Sequence, residues 1–275
     1  MSAGPLRLLS TVQQAHVARP GDPYLRCELG DGSPSGPELR GYASDRLPAA
    51  VALIRTRWAD DRLNAVVLGA PDDAAALAEA VLLAEPEVGF AMLPRGARAR
   101  VAGGRALLPR PSWSWEWMWT ASAPATPLPG EASVVLLDDD EPVRTLLAAA
   151  YPNPGRAPGH PHLAGWAGVW DGDRLGACAT WEWHRPGHAH LSTIVVAPDL
   201  RGRGIGAAVT AALTRQLLDP TVPGPTSGPP LGSSGTTPAR TVALGVYPDN
   251  VGAIRLYHRL GFVTGARFDT WATRD

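Results

Sequence analysis

The alternation of apolar and polar positions predicts two successive stretches of strands and helices. The first stretch contains a short predicted helix at residues 49–57, a strand at 64–69, a helix at 72–84 and a strand at 88–93. Asp72 and Asp73 suit the first turn of the longer helix, and Pro86 ends it. Residues 1–48 are mixed in character and turn-rich, and their pattern predicts no particular element.

The second stretch has a longer and more regular pattern. It predicts strands at residues 133–137, 164–170, 175–183, 191–196, 242–246 and 267–272, with helices ending near Tyr151, covering 205–218 and beginning at Asn250. This β-α-β-β-β-α-β-α-β order indicates an α/β fold, with an α+β mixed sheet and helices on both faces. Residues 121–130 resemble a linker, so we place one domain at 1–125 and another at 126–275. A Pro/Gly/Ser/Thr run at 219–238 is predicted to be a disordered insertion.

A glycine-rich turn joins the strand at 191–196 to the helix at 205–218. Its sequence is Arg201-Gly202-Arg203-Gly204-Ile205-Gly206. Glycines leave backbone N–H groups uncovered, and the first N–H groups and positive dipole end of a helix attract anions. The turn therefore predicts a phosphate site, although a tight turn that needs glycine for steric reasons alone would have the same sequence.

The same turn carries a resemblance to a known family. A strand, Val196-Ala197-Pro198, and then Arg201-x-x-Gly204-x-Gly206 resemble motif A of the GNAT (Gcn5-related) N-acetyltransferases. A second block resembles the family's Asn-x-x-Ala-x-x-x-Tyr-x-x-x-Gly-Phe pattern through Asn250, Ala253, Tyr257, Gly261 and Phe262. The resemblance covers residues 132–275 and implies the GNAT acyl-CoA N-acyltransferase fold there. The β-α-β pattern ahead of it suggests a tandem form with a degenerate GNAT-like N-terminal domain.

The resemblance implies transfer of an acetyl group from acetyl-CoA, as co-substrate, to a primary amine. In the family, the motif A strand splays from its neighbour at a bulge, and the pantetheine arm of CoA pairs with it. A backbone N–H near Val195 would then face the thioester oxygen. The residues implied for cofactor binding are Ile194, Val195, Val196, Arg201, Gly202, Arg203, Gly204, Ile205, Gly206 and Asn250.

Tyr257 is the residue that the resemblance assigns to protonating the departing thiolate. A phenol, with a pKa of about 10, is protonated at neutral pH and can donate. Spacing alone favours a core position for Tyr257, in a stripe with Ile254 and Leu260, and the resemblance is what favours the catalytic role. Asn250 lies where a helix begins and is also a good N-cap residue.

The general base is not evident from the sequence. Many family members carry an acidic residue on the motif A strand, and the equivalent positions here are Ser192 and Thr193. We consider Glu182 and His190 as candidates. Glu182 alternates with two tryptophans, and a carboxylate beside large apolar groups can have a raised pKa and act as a base. Both residues would otherwise be solvated hairpin residues, and a chain of waters is a further alternative.

Composition excludes several classes of function. The 275-residue chain has a net charge of −1, which gives no electrostatic reason to expect nucleic acid or an anionic membrane as partner. It contains no lysine, so Walker A ATPases, protein kinases and Schiff-base enzymes are excluded. Cys27 and Cys178 fit no metal or redox spacing, and no apolar run is long enough to span a bilayer. We therefore expect a cytoplasmic protein without a metal.

Two further segments indicate which surfaces contact other groups. Trp113, Trp115, Trp117 and Trp119 alternate on one predicted face. That row suits an acceptor pocket, a homodimer face or the interface between the two halves, and we favour the last because aromatic stripes are poorly tolerated in water. The loop at 151–163 occupies the place of the family's acceptor-binding loops, so we expect a small-molecule or peptide amine there.

Two other functions are compatible with parts of the sequence. A non-catalytic acyl-CoA-binding sensor or scaffold would explain the missing motif A carboxylate. An NAD-binding oxidoreductase would explain the Gly-x-Gly-x-x-Ala pattern from Gly202 to Ala207. The second reading is disfavoured because five residues separate the strand from Gly202, whereas the first Rossmann glycine follows its strand directly.

Overall fold

The structure is a computed structural model that describes residues 3–30, 39–56, 62–152, 154–219 and 238–273. The chain divides into two compact units. Unit 1 is formed by Met1–Trp117 and Gly265–Asp275, and unit 2 by Met118–Thr264. The insertion predicted at 219–238 lies almost entirely outside the described residues. The placement of the domain boundary at 125/126 stays a prediction.

Unit 1 contains a mixed sheet with helices. Its elements are β1 (Arg7–Leu9), α1 (Val12–Ala18), α2 (Pro23–Leu29), β2 (Arg40–Ala43), β3 (Val51–Thr56), β4 (Leu63–Leu68), α3 (Pro71–Ala84), β5 (Phe90–Pro94), α4 (Gly104–Leu107), most of β6 (Arg110–Thr120) and most of β12 (Val263–Ala272). The strand order is β1-β2-β3-β4-β5-β12-β6. Strands β4 and β5 are parallel, because α3 carries the chain back across the sheet between them.

The helix predicted at residues 49–57 is wrong, because the chain forms strand β3 there. Val51, Ala52, Leu53 and Ile54 are all buried, and β3 pairs with β2 on one side and with β4 on the other. A central strand covered on both faces is apolar at every position. Such a short apolar run has no period that distinguishes a strand from a buried helix.

The first 48 residues hold helices that hydrophobic pattern alone did not predict. α1 begins with a capping box in which the Thr11 side chain accepts from the Gln14 backbone N–H and the Gln14 side chain reaches back. α2 begins after Asp22, whose side chain caps the helix, with Pro23 at its first position. The capping residues are therefore the local signal that marks both helices.

Unit 2 follows the predicted order of elements up to its last helix, whereas the final predicted strand, at 267–272, forms the part of β12 that belongs to unit 1. The elements of unit 2 are β7 (Val135–Leu137), α5 (Glu141–Ala150), β8 (Leu163–Asp171), β9 (Arg174–Arg185), β10 (His188–Val196), α6 (Ile205–Leu218), β11 (Thr241–Val246), α7 (Val251–Arg259) and the first residues of β12. The strand order is β11-β10-β9-β8-β7. Only β10 and β11 are parallel, since α6 connects them, and the other neighbours are antiparallel. The predicted α/β mixed-sheet fold is confirmed.

The two faces of the unit 2 sheet pack against different helices. On one face, Trp181 and Leu191 pack with Val209 and Leu213 of α6. On the other face, Cys178 and the residues around it pack with α5. Because side chains alternate along a strand, Glu182 lies on the α5 face. Within the described residues, no helix combines the length and the apolar character needed to cross a bilayer.

Candidate active site

Strands β10 and β11 separate part of the way along their length. Their parallel register runs from His188 opposite Thr241 to Leu191 opposite Leu244. Within the described chain, no register joins the two strands beyond that point, although β10 continues to Val196 and β11 to Val246. We call this separation, between residues 192–196 and 245–246, the strand opening. Unpaired backbone groups along it are available to an added extended chain.

The strand opening begins at a β-bulge in β10. The pairing of β10 with β9 shifts between Ser192 and Val195. Thr193 within the bulge has φ +48°, which is the left-handed region that a β-branched residue rarely occupies. A bulge leaves a residue out of the ladder and redirects the backbone, so peptide N–H groups near Val195 are freed from regular pairing.

The glycine-rich turn lies directly after β10. Gly202 and Gly204 have φ +78° and +82°, and a Cβ on either would meet no atom within 4 Å. Gly204 is the N-cap of α6 and has no side-chain cap, and the first helical hydrogen bond runs from Ala208 N to Gly204 O. Among the described residues, no side chain caps the first N–H groups of α6, and uncapped N–H groups at a helix start are able to bind phosphate.

Two other residues of the turn have structural contacts. A Cβ on Gly206 would lie 3.3 Å from Cγ2 of Val196, so the helix approaches the strand closely there. The Arg201 guanidinium donates from Nε to Val196 O at 3.2 Å and from Nη2 to Ala150 O at 3.4 Å. Arg201 thereby holds the turn against the end of β10 and the end of α5.

The second motif block forms the start and the inner face of α7. Asn250 is the N-cap, and its Oδ1 accepts from Ala253 N at 3.2 Å, as its residue type predicts. Tyr257 is 7% exposed and packs in the unit 2 core, with its ring centroid 6.1 Å from that of Phe262. Its hydroxyl donates to no other residue in the described part of the chain, and burial raises its pKa to about 12. Tyr257 therefore keeps its proton at neutral pH.

Glu182 is a buried anion and not a carboxyl group with a raised pKa. Its side chain is only 3% exposed. Burial by itself would raise the pKa of Glu182, but the hydrogen bond from His184 and the charges of His184, His190 and Arg156 outweigh burial and lower that pKa to about 2. The expected raised pKa is wrong, because the sequence does not show that three cationic or polar partners converge on this carboxylate.

His190 lies beside Glu182 on the α5 face. The two residues are directly opposite in the β9–β10 ladder, so their side chains share a face. The His190 ring stacks on that of His184, with centroids 4.6 Å apart and planes 5° from parallel. His184 Nε2 lies 3.5 Å from Oε1 of Glu182. His184 was not among the predicted site residues, although its spacing from Glu182 in β9 places it on the same face.

Ser192 extends this polar face toward the bulge. It follows His190 by two positions in β10 and lies opposite Thr180 of β9. Its Oγ is buried and has no hydrogen-bond partner in the described part of the chain. Buried hydroxyl groups normally form hydrogen bonds. A hydroxyl without such a bond at the edge of the strand opening is therefore suited to bind a ligand.

The loop at residues 151–162 is called the acceptor loop here, after the expectation from the sequence, and its described residues contact this face. Arg156 donates from Nε to Oε2 of Glu182 at 3.3 Å, and Thr193 Oγ1 donates to Arg156 O at 2.9 Å. Burial and the Arg156 charge lower the pKa of His160, which belongs to the same loop. The structure thus brings Glu182, His190 and the bulge together with the acceptor loop.

Comparison with known proteins matches one segment of the chain to a family. Residues 106–221 match the model of the Acetyltransferase (GNAT) family. Residues 106–221, which are less than half of the chain, are therefore similar to this family, as the resemblance of motif A indicates. The matched range includes residues 192–196, on the β10 side of the strand opening, together with the bulge and the glycine-rich turn.

Two curated relatives and one solved structure describe the similarity further. Mycothiol acetyltransferases from Mycobacterium avium (strain 104) and Mycolicibacterium paratuberculosis (strain ATCC BAA-968 / K-10) are each 34% identical over 99 residues, which is 34% of this chain. The match spans 28% of the length of those relatives. A GCN5-related N-acetyltransferase from Sphaerobacter thermophilus superposes with a TM-score of 0.52 at 14% identity, covering 100% of this chain and 98% of that one. That superposition shows a shared fold.

Proposed function

We propose that the protein transfers an acetyl group from acetyl-CoA to a primary amine by direct attack on the thioester. The observation that carries the proposal is the succession of the strand opening, the bulge and the uncapped glycine turn along one segment, β10 to α6. A phosphate site and an unpaired strand edge in that order fit the two parts of acetyl-CoA, its pyrophosphate and its extended pantetheine arm.

Each part of the site has a role in the proposed reaction. Backbone N–H groups at Gly202 to Gly206 hold the pyrophosphate, with Asn250 as a further cofactor contact. The pantetheine arm lies along Ile194 to Val196, and the Val195 N–H polarises the thioester carbonyl. The amine nitrogen attacks that carbon, the C–S bond breaks, the amine gives up a proton to a base, and Tyr257 gives its proton to the thiolate. No metal takes part in these steps.

His190 is the better candidate for the base. Glu182, with its pKa lowered to about 2, is ionised at neutral pH but accepts a proton weakly. His190 lies on the same face and nearer to the bulge along β10. Glu182 then serves as a fixed negative charge beside the imidazoles of His184 and His190.

We expect His190→Gln to lower kcat by about 100-fold and to remove the rise of rate with pH, because glutamine cannot accept the amine proton. Glu182→Gln should retain that rise. The check is kcat measured from pH 5.5 to 9 with saturating acetyl-CoA and amine. A His190→Gln profile with the wild-type rise would remove His190 as the base.

Unit 1 is proposed to be a degenerate copy that does not bind acetyl-CoA. Unit 1 repeats an order of elements that is found in unit 2. The elements β2, β3, β4, α3 and β5 correspond in turn to β8, β9, β10, α6 and β11, and in both units the last two strands are parallel. However, α3 follows β4 through Gly69 and Ala70 without a glycine-rich turn, and its first turn contains Asp72 and Asp73. Two carboxylates at a helix N-terminus repel a pyrophosphate.

Acetyl-CoA should therefore bind with a stoichiometry of one per chain. Isothermal titration calorimetry of the full chain measures this number directly. A variant in which Asp72 and Asp73 are both replaced by Asn is the matched control, and its stoichiometry should also remain one, because the turn before α3 still lacks the glycines. Two sites per wild-type chain would contradict the proposed role of unit 1.

The acceptor is proposed to be a small-molecule amine in the cytoplasm. The relatives that share 99 residues with this chain carry the name mycothiol acetyltransferase, which supports a small acceptor over a peptide. Nucleic acid and membrane are not proposed as partners. The tryptophan row is not proposed as a homodimer face, because Trp117 is fully buried and packs against Tyr24 of the same unit. The direct test is release of free CoA thiol from acetyl-CoA with a panel of amines, together with the mass of each acetylated product. Binding of acetyl-CoA without amine-dependent release would favour a sensor.

A further inference from the structure

Thr193 is held in an unfavourable backbone conformation at the centre of the proposed site. Its φ of +48° lies in the left-handed region, where a β-branched side chain crowds the backbone. Conformations of this kind cost about 1–3 kcal/mol and persist only where the surroundings fix them. A glycine would adopt the same φ without strain, so the threonine side chain has a contact that offsets the cost.

That contact is a hydrogen bond to the acceptor loop. Thr193 Oγ1 donates to the backbone oxygen of Arg156 at 2.9 Å, across 37 positions of sequence. The side chain of the same arginine donates from Nε to Glu182 Oε2 at 3.3 Å. Arg156 is therefore attached through its backbone to β10, within the register shift, and through its side chain to β9, two residues ahead of the position where the shift begins.

A further contact fixes the same loop. Ala157, next to Arg156, packs in the cluster that contains Val195 of β10 and Cys178 of β9. The loop is thus connected to β9 and to β10 through both hydrogen bonds and apolar packing.

We propose that Thr193 and Arg156 are positioning residues that hold the acceptor loop in register with the thioester bulge. This inference rests on the proposed acetyl transfer. A loop tied to the bulge by its backbone keeps the amine-binding surface at a fixed distance from the carbonyl that Val195 polarises. The hydrogen bond then affects how the amine is bound and oriented, and it leaves the pyrophosphate site at the glycine turn unchanged.

Three substitutions of Thr193 separate the effect of losing the hydroxyl hydrogen bond from the effect of relieving the backbone strain. Thr193→Val keeps the branched shape and removes the donor, Thr193→Ser keeps the donor, and Thr193→Gly removes both the strain and the donor. We expect the valine and glycine variants to raise the KM for the amine about tenfold, which corresponds to one lost hydrogen bond. The serine variant should restore the wild-type KM, and the Kd for acetyl-CoA should stay within about twofold in all three.

A second measurement does not depend on activity. Deuterium uptake at residues 154–162, followed by mass spectrometry on the full chain, should increase in Thr193→Val and return to the wild-type level in Thr193→Ser. An unchanged amine KM and unchanged uptake in the valine variant would overturn the inference, as would a serine variant that behaves like valine. If the wild-type protein shows no amine-dependent thiol release, the proposed function fails. The deuterium-uptake comparison alone then supports or rejects the role of the Thr193–Arg156 hydrogen bond in fixing the loop.

Discussion

Replacing Tyr257 by phenylalanine should lower kcat by about 100-fold, the usual contribution of a general acid. The hydroxyl is the only group removed, and the ring remains in the unit 2 core beside Phe262. Because burial raises the pKa of Tyr257 to about 12, the phenol is fully protonated when a thiolate leaves. The measurement is steady-state thiol release at saturating acetyl-CoA and amine.

The interpretation of that loss depends on two controls on the same variant. Acetyl-CoA affinity from calorimetry should change by no more than about twofold, since a transition-state proton transfer contributes little to binding of the ground state. Tm should also stay close to the wild-type value, because the hydroxyl has no hydrogen-bond partner among the described residues. Wild-type turnover in Tyr257→Phe would exclude this residue from the mechanism.

Replacing Gly204 by aspartate should weaken acetyl-CoA binding by about 100-fold relative to replacement by asparagine. Gly204 is the N-cap of α6 at φ +82°, a conformation that Asn and Asp adopt more readily than other residues with side chains. The two variants therefore share nearly the same shape and backbone strain. They differ by one negative charge, which costs about 3 kcal/mol near a second charge about 5 Å away at the effective dielectric of a protein surface.

The comparison of the two Gly204 variants isolates the electrostatic part of the site. The Kd for acetyl-CoA is measured by calorimetry for both variants at low and at high salt. The difference between the two variants should be larger at low salt, since ions screen exposed charges. Equal affinities for Gly204→Asp and Gly204→Asn at low salt would show that the pyrophosphate does not lie at this turn.

The sequence predicted most of unit 2 because its signals are local. Alternation in β9 and β10, the apolar face of α6 and the cap at Asn250 each depend on neighbours in the chain. The strand β3 was missed because a fully buried strand has no alternation to detect. In residues 1–48 the hydrophobic pattern was weak, and the helix signals were carried by the capping residues Thr11 and Asp22.

For the candidate site, motif spacing predicted the turn and Tyr257, but not the electrostatics around them. The lowered pKa of Glu182 comes first from His184 on the same strand, and then from His190 on the facing strand and Arg156, 26 positions away. The bond from Thr193 to Arg156 joins a bulge to a loop 37 positions away. Such contacts depend on how the sheet and the loop come together, and no local pattern encodes them.

A crystal structure of the full chain with acetyl-CoA tests the central claim most directly. We predict that the pyrophosphate accepts hydrogen bonds from the backbone N–H groups of residues 202–206. The pantetheine arm should lie in the strand opening, with the thioester oxygen on the Val195 N–H and the sulfur within hydrogen-bond reach of the Tyr257 hydroxyl. Acetyl-CoA bound at the N-terminus of α3, or anywhere outside the strand opening, would contradict the account.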